Sequence, residues 1–350
     1  MELPTTEAEK PTADATRKAY YERIAKKDMA PLWERLKDLV PREPVTACQP
    51  AIWHFMEVKA LVQEAGGLIT AKEAERRVLV LENPGQKGKS RITNTLYAGL
   101  QLILPGEVAP AHRHTSSAIR FILDGEGAYT QVEGEKTIMS PGDFVITANW
   151  CAHDHGNESK QSMIWLDVLD LPTVNFFESA FSEHLHADMQ NTRREHGDSL
   201  ERFGSGVLPD GTNSKQLQSP IVNYPYKRVR PVLDRIKRGG EVDKRHGARV
   251  RYANPVNGGW VTPTMGAHLA LLPNNFKGEN YRSTDGTIFV CVEGKGATKV
   301  DGRTLDWSPG DVFVVPPWKQ YSHNAAAESV LFSISDRPAQ ESLGIWREEN

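Results

Sequence analysis

The sequence predicts a mainly β protein in which two small β-barrel or sandwich lobes follow an N-terminal helical section. Three observations predict it. The apolar period changes from helical to two after Pro84-Gly85. Short strands separated by Pro-Gly, Asp-Gly and Gly-Asp turns then run on to about Leu171. Finally, a long segment recurs: Asp124-Gly125-Glu126-Gly127 answers to Glu293-Gly294-Lys295-Gly296, and Ser140-Pro141-Gly142-Asp143-Phe144-Val145 to Ser308-Pro309-Gly310-Asp311-Val312-Phe313, at offsets of 169 and 168 residues. So long a period means a duplicated domain rather than a solenoid.

Length and composition agree with two lobes and remove several function classes. The chain has 350 residues, against roughly 150 for a typical domain. Its 42 Lys+Arg and 45 Asp+Glu leave a net charge of −3, which is no signature of a nucleic-acid or membrane-surface partner. No stretch approaches the roughly 18 apolar residues of a membrane span, and the polar, acidic N-terminus carries no apolar signal-peptide core. Cys48, Cys151 and Cys291 are isolated, so neither a disulfide framework nor a thiolate metal site is expected, and a cytoplasmic setting fits.

Residues 1–90 form the helical section. Tyr20 and Ile24 share one helical face; Pro31 opens a second helix with Leu32, Leu36 and Leu39 at helical spacing, ending by Pro41. Trp53, Met56, Ala60 and Leu61 give a third stripe, with Gly66-Gly67 as its stop. Thr70 and Glu73 make a capping box for a short fourth helix that leads through Arg76 and Arg77 to the strand-like Val78-Leu79-Val80-Leu81. The first barrel occupies 91–171. From Leu96 to Leu104 the even positions are all apolar, whereas Tyr97, Gly99, Gln101 and Ile103 point the other way, giving one plain core face and one mixed face. Residues 172–257 are more polar and read as an interlobe connection with some helix; 258–350 make the second barrel and a C-terminal tail.

The chemistry concentrates in the first barrel. In a strand, residues two apart face the same way, so His112 and His114 can approach one ion, with Arg120 on that face further along. His153 and His155 are a second such pair beyond the Pro141-Gly142-Asp143 turn, and Asp154 points away. Neutral imidazoles suit first-row divalent metals, and three of them leave open positions for substrate; geometry alone also admits zinc. His184 and His186, in a charged stretch, read as solvated surface.

Gly106, His112, His114, Gly125, Pro141-Gly142 and His153 together resemble the two motifs of the cupin superfamily. The glutamate usual after the second histidine is missing, since Ala118 and Ile119 stand there, so a three-histidine site is implied. With Trp33-Glu34-Arg35-Leu36, Glu75-Arg76-Arg77-Val78-Leu79, Leu100-Gln101-Leu102-Ile103-Leu104-Pro105-Gly106-Glu107 and Trp150-Cys151-Ala152-His153-Asp154-His155-Gly156-Asn157, the whole chain resembles the gentisate 1,2-dioxygenases, a group that also contains salicylate and 1-hydroxy-2-naphthoate dioxygenases.

That resemblance implies a bicupin of two jelly-roll lobes, usually a homotetramer. It implies one Fe(II) per chain, held in the first lobe by His112, His114 and His153, and cleavage of gentisate with O2 between the carboxylated and adjacent hydroxylated carbons to give maleylpyruvate. Salicylate or 1-hydroxy-2-naphthoate is the alternative substrate; a Mn or Zn bicupin decarboxylase or isomerase is a more distant one. By the same resemblance His155 bonds substrate or bound oxygen, Arg120 pairs with the substrate carboxylate or with an oxygen intermediate, and Asp167 accepts from a ring hydroxyl. Gln101, Tyr97, Gly99 and Trp150 line the ring pocket, and one of Arg76 and Arg77, with Arg76 preferred, closes over it. A structural ion pair is the competing reading of Arg120 and Asp167, as plain packing is of Tyr97 and Trp150. In the second lobe the repeat offset puts Tyr281, Ser283 and Tyr321 at the three ligand positions and keeps only His323, so that lobe is expected to hold no metal.

Overall fold

A computed structural model describes residues 13–349. The described residues up to Val45 form a unit of their own, in which the helices Ala13–Ala25 and Leu32–Leu39 are linked by a hydrogen bond from Trp33 Nε1 to Tyr21 Oη at 2.8 Å and from Tyr21 Oη to Glu34 at 2.5 Å. Everything from Thr46 onward is a second unit, and it contains both β-rich lobes. Among the described residues no helix is long and apolar enough to cross a membrane.

Each lobe is built on a six-stranded antiparallel sheet. In the first lobe its order is 223–224, 144–147, 118–124, 163–169, 97–103, 78–80; in the second it is 51–53, 312–315, 287–293, 329–335, 266–272, 248–251. A second, smaller sheet closes each lobe: 182–184, 108–114, 153–157, 128–132, 135–138 in the first and 276–277, 321–325, 296–300, 303–307 in the second. The mainly β, two-lobed fold class read from the sequence is the fold found.

Alternation within the strands sorts the side chains between two destinations. Ala98, Leu100 and Leu102, with Ile119, Phe121, Ile164, Leu166 and Val168, join Leu269, Val290 and Phe332 in one core shared by the two large sheets. Phe121 and Phe332 stack there with ring centroids 4.1 Å apart. The plain face of the Tyr97–Ile103 strand is thus the interlobe face, and the mixed face lines the first barrel.

The repeated Ser-Pro-Gly-Asp turn has a structural task in both lobes. Asp143 accepts from the Tyr226 amide at 3.0 Å and Asp311 from the Phe55 amide at 2.7 Å, so each acid satisfies a free N–H at the start of a flanking helix, Tyr226–Gly239 or Phe55–Leu68. Gly142 and Gly310 have φ of +83° and +87°, and a Cβ at either would collide with the ring of Tyr226 or Phe55.

Some local readings are corrected. The third helix buries Phe55 and Val62, while Met56 and Leu61 of the expected stripe are exposed, because the side packed against the lobes is the one carrying Phe55. It also continues through Gly66 and Gly67 to Leu68. The stretch after Pro172 adds edge strands to both lobes through 182–184, 223–224 and 248–251, so it is part of the sheets and not merely a tether.

Two buried carboxyls tie the lobes together crosswise. Asp170 accepts from the Ser117 amide at 2.8 Å and from Thr264 Oγ1 at 2.5 Å; Asp336 accepts from the Gly286 amide at 2.9 Å and also bonds Thr95. Burial pushes each carboxyl up to about 6, with Asp285 adding to the effect at Asp336. A raised carboxyl binds its proton more tightly in the folded state, so its stabilising contribution is full at low pH and is lost as pH rises through about 6. Asp336→Asn is therefore expected to gain about 2 kcal/mol relative to wild type between roughly pH 4 and pH 7. Urea unfolding across that range measures it, and a flat difference would refute the assignment.

Candidate metal centre and active site

His112, His114 and His153 come together on the small sheet of the first lobe. His112 and His153 are register partners on adjacent strands, and His114 lies two residues along on the same face. One ring nitrogen from each lies within 4.8 Å of the others, and the ring centroids are 4.2 to 5.2 Å apart. A carbonyl only accepts, so the carbonyls near the Nδ1 of His114 and of His153 decide those two tautomers. His114 Nδ1 donates to Ser116 O at 2.7 Å and His153 Nδ1 to Cys151 O at 2.9 Å, whereas His112 Nδ1 lies between Pro110 O at 3.2 Å and the nearer donor Arg76 Nη2. The Nε2 of His114 and that of His153 are left with their lone pairs, and that of His153 is buried with no partner among the described residues. Burial, then neighbouring positive charge, pushes the His112 and His153 imidazoles far down, so all three are neutral donors. Three converging neutral imidazoles, two of them with tautomers fixed by backbone carbonyls, fit a divalent metal ion.

His155 enters the same barrel from the strand of His153, with ring centroids 5.8 Å apart. Its Nδ1 meets Thr130 Oγ1 at 2.9 Å, and that hydroxyl has Met139 Sδ as its own acceptor at 3.2 Å. Thr130 therefore accepts from Nδ1–H, leaving Nε2 buried, without a partner among the described residues and available as an acceptor. Thr130 was not singled out from the sequence. The repeat carries its signal, because Thr298 stands in the same relation to His323 at 2.8 Å.

Arg120 and Asp167 face each other in register on adjacent strands, both inside the barrel and nearly fully buried. Arg120 Nε lies 3.1 Å from Asp167 Oδ1, and Arg120 Nη1 donates to Thr147 Oγ1 at 2.6 Å. Burial leaves the Asp167 carboxyl raised on balance, with Arg120 opposing it, and at 3.1 Å the two groups form an ion pair inside the pocket. Gln101 sits opposite Trp165 on one side and Val78 on the other, and Gly99 opposite Asp167. A Cβ at Gly99 would come within 2.4 Å of Val78 Cγ1 and 2.9 Å of the Tyr97 hydroxyl, so the wall here is already tight. Burial, and Asp167 after it, pushes the Tyr97 phenol up and keeps it a neutral donor.

The adjacent arginines separate. After the helix Ala71–Ala74 the chain turns at Glu75, with φ +51°, and is not helical at Arg76 or Arg77. Arg76 Nη2 donates to Pro110 O at 2.7 Å and abuts the His112 ring, whereas Arg77 is buried in a two-pronged pair with Glu107. Trp150 lies elsewhere: its ring packs on Arg113 and Phe181, and Arg113 is out of phase with His112 and His114. His184 is exposed and opposite His112 on the edge strand, 3.9 Å from Glu75.

The second lobe repeats this framework without the ligands. Tyr281 and Tyr321 exchange backbone hydrogen bonds of 2.9 Å where His112 and His153 are paired, and among the described residues the first-lobe histidines are the one cluster of three or more potential ligands.

Comparison with known proteins agrees with this geometry. Residues 99–169, the segment holding the three histidines, match the cupin domain family. The chain is 51% identical over 340 residues to gentisate 1,2 dioxygenase 1 of Aquipseudomonas alcaligenes, covering 97% of this chain and 98% of that one. It is 35% identical to 5-aminosalicylate 1,2-dioxygenase of a Comamonas species, over 95% of this chain and 89% of that one. Among solved structures it resembles salicylate 1,2-dioxygenase from Pseudoaminobacter salicylatoxidans in an adduct with gentisate, with a TM-score of 0.91, 32% identity, and coverage of 99% of this chain and 96% of that one. At this identity over nearly the full length, with the three histidines in the matched cupin segment, the chain belongs to the gentisate 1,2-dioxygenase family of ring-cleaving cupin enzymes.

Proposed function

We propose that this protein cleaves gentisate with O2 between the carboxylated and adjacent hydroxylated carbons, giving maleylpyruvate, with one Fe(II) per chain held by His112, His114 and His153. The observation that carries this reading is the convergence of three neutral imidazoles beside two arginines and one buried carboxylate, in a chain half identical to a gentisate dioxygenase. Iron bound there supplies the redox chemistry that joins both atoms of O2 to an electron-rich ring.

The protein's own groups do the rest. Arg76, at the rim, and Arg120, on the inner wall, attract and orient the substrate carboxylate. Asp167 accepts from a ring hydroxyl and withdraws the proton that would otherwise hold electron density back from the ring. His155 Nε2, fixed as an acceptor by Thr130, takes a hydrogen bond from substrate or an oxygen-derived hydroxyl. Gln101, Gly99 and Tyr97 hold the ring flat against the mixed face of their strand, and Trp150 supports the site from behind through Arg113. The isolated thiols support a cytoplasmic setting, and membership of the family supports a homotetramer.

An oxygen electrode tests the substrate. Anaerobically Fe(II)-loaded enzyme is expected to consume O2 fastest with gentisate, with the absorbance of the ring-opened product rising in step. O2 uptake with salicylate or 1-hydroxy-2-naphthoate but none with gentisate would overturn the substrate assignment.

A further inference from the structure

The second barrel keeps the layout of the first site and changes its charge. At the edge of the first large sheet Val78 faces Gln101 and Val80 faces Gly99; at the edge of the second, Arg249 faces Ala270 and Arg251 faces His268. Arg249 therefore stands where the first lobe has Val78, and His268 where it has Gly99. Its strand neighbours Ala248 and Val250 pack in the interlobe core, so alternation directs Arg249 to the barrel side.

This guanidinium is short of partners. Arg249 Nη2 meets His268 Nδ1 at 3.0 Å, and among the described residues no carboxylate pairs with it and no other acceptor takes its remaining donors. The acids nearby are engaged: Asp285 accepts from Trp346 Nε1 at 2.9 Å, and Glu348 from the Tyr281 hydroxyl at 2.8 Å. Tyr321, buried beside them, has a hydroxyl with no hydrogen-bond partner among the described residues. Arg249 and His268 both retain partial exposure, as His112 and His114 do in the first lobe, so solvent reaches the guanidinium. The surroundings are flat rings: Tyr281 and Tyr321 meet edge to face at 5.7 Å, and His246 packs on Tyr281 at 4.7 Å. Burial, and Arg249 next, pushes His246, His268 and His323 down, so these imidazoles add no charge of their own.

A fixed cation with free forked donors, a free phenol and aromatic walls is the chemistry that recognises a carboxylate on a flat body. We propose that the second barrel is a binding site for a small planar monocarboxylate, its carboxylate held by Arg249 and the Tyr321 hydroxyl and its body against Tyr281. The site would bind without metal and without turnover, and the assignment stands independently of which aromatic acid the first barrel cleaves.

Equilibrium dialysis of the Fe(II)-loaded, anaerobic enzyme against benzoate tests it. Arg249→Gln is expected to bind one benzoate per chain fewer than wild type, with an unchanged circular dichroism spectrum. Equal stoichiometry in the two proteins overturns the site. Should Arg249→Gln fail to fold, wild-type crystals grown with para-bromobenzoate decide the matter through the anomalous signal of bromine. A bromine in the second barrel sustains the proposal, and bromine confined to the first barrel, or found nowhere, overturns it.

Discussion

His153→Ala is expected to fold, to retain almost no iron and to lose ring cleavage by at least a thousandfold, since a bound metal supplies several kcal/mol of transition-state stabilisation and each ~1.4 kcal/mol is a factor of ten. Three features make His153 the most telling of the ligands. It is 1% exposed, its Nε2 has no hydrogen-bond partner among the described residues, and its ring contacts both other ligands. Alanine removes one of three ligands and leaves the Cys151 carbonyl without its donor, at a cost of about 1–3 kcal/mol in stability. Metal analysis after loading, with kcat measured on the same sample, checks the expectation. Iron near one per chain with activity intact would sink the ligand assignment.

The second large effect concerns charge inside the barrel. Arg120→Gln leaves the Asp167 carboxylate buried without its counter-ion, and Asp167→Asn leaves Arg120 in the same state. Breaking a buried pair from one side costs about 3–5 kcal/mol, whereas removing both charges avoids the unpaired ion. Each single variant is therefore expected to be strongly destabilised and the double variant to recover most of that loss, with a coupling of about 2–3 kcal/mol in urea unfolding. Activity separates the structural role from the functional one: the double variant should unfold like wild type yet stay impaired in kcat/KM for gentisate, because the carboxylate-binding charge is gone. Additive destabilisation would show that the two residues do not act as a pair, and full activity in the double variant would confine them to packing.

The sequence also carried competing readings of this pair, and the structure brings the two charges together. Parity along the strand placed Arg120 on the ligand face and the family resemblance placed Asp167 in the pocket, which made either a substrate contact or an internal ion pair reasonable. Only the alignment of two strands 47 residues apart in sequence, with Arg120 and Asp167 in register, brings the charges to 3.1 Å. Arg76 and Arg77 illustrate the same limit. The sequence has one of the two closing over the pocket; a turn with positive φ at Glu75 separates them, and the partner Glu107 that claims Arg77 lies on a distant turn. Trp150 shows what phase alone misses: its own position is fixed by φ +61° in a turn, and Arg113 and Phe181 decide what its ring packs against.

What the sequence determined by itself is everything set by local periodicity: the switch from period 3.6 to period 2, the face on which each histidine of the two pairs lies, and the duplication that makes two lobes with unequal chemistry. These follow from backbone geometry, which alternates side chains along a strand whatever surrounds it. The tertiary structure decided which of those faces meet. It set the plain faces of the two large sheets against each other as one interlobe core, brought His153 opposite His112, lent the edge strands 51–53, 78–80 and 248–251 to the lobes from outside the repeats, and left Arg249 in the second barrel with no counter-ion among the described residues. The physical reason is that strand pairing and sheet stacking join residues far apart in the chain, through hydrogen-bond register and packing that no local pattern encodes.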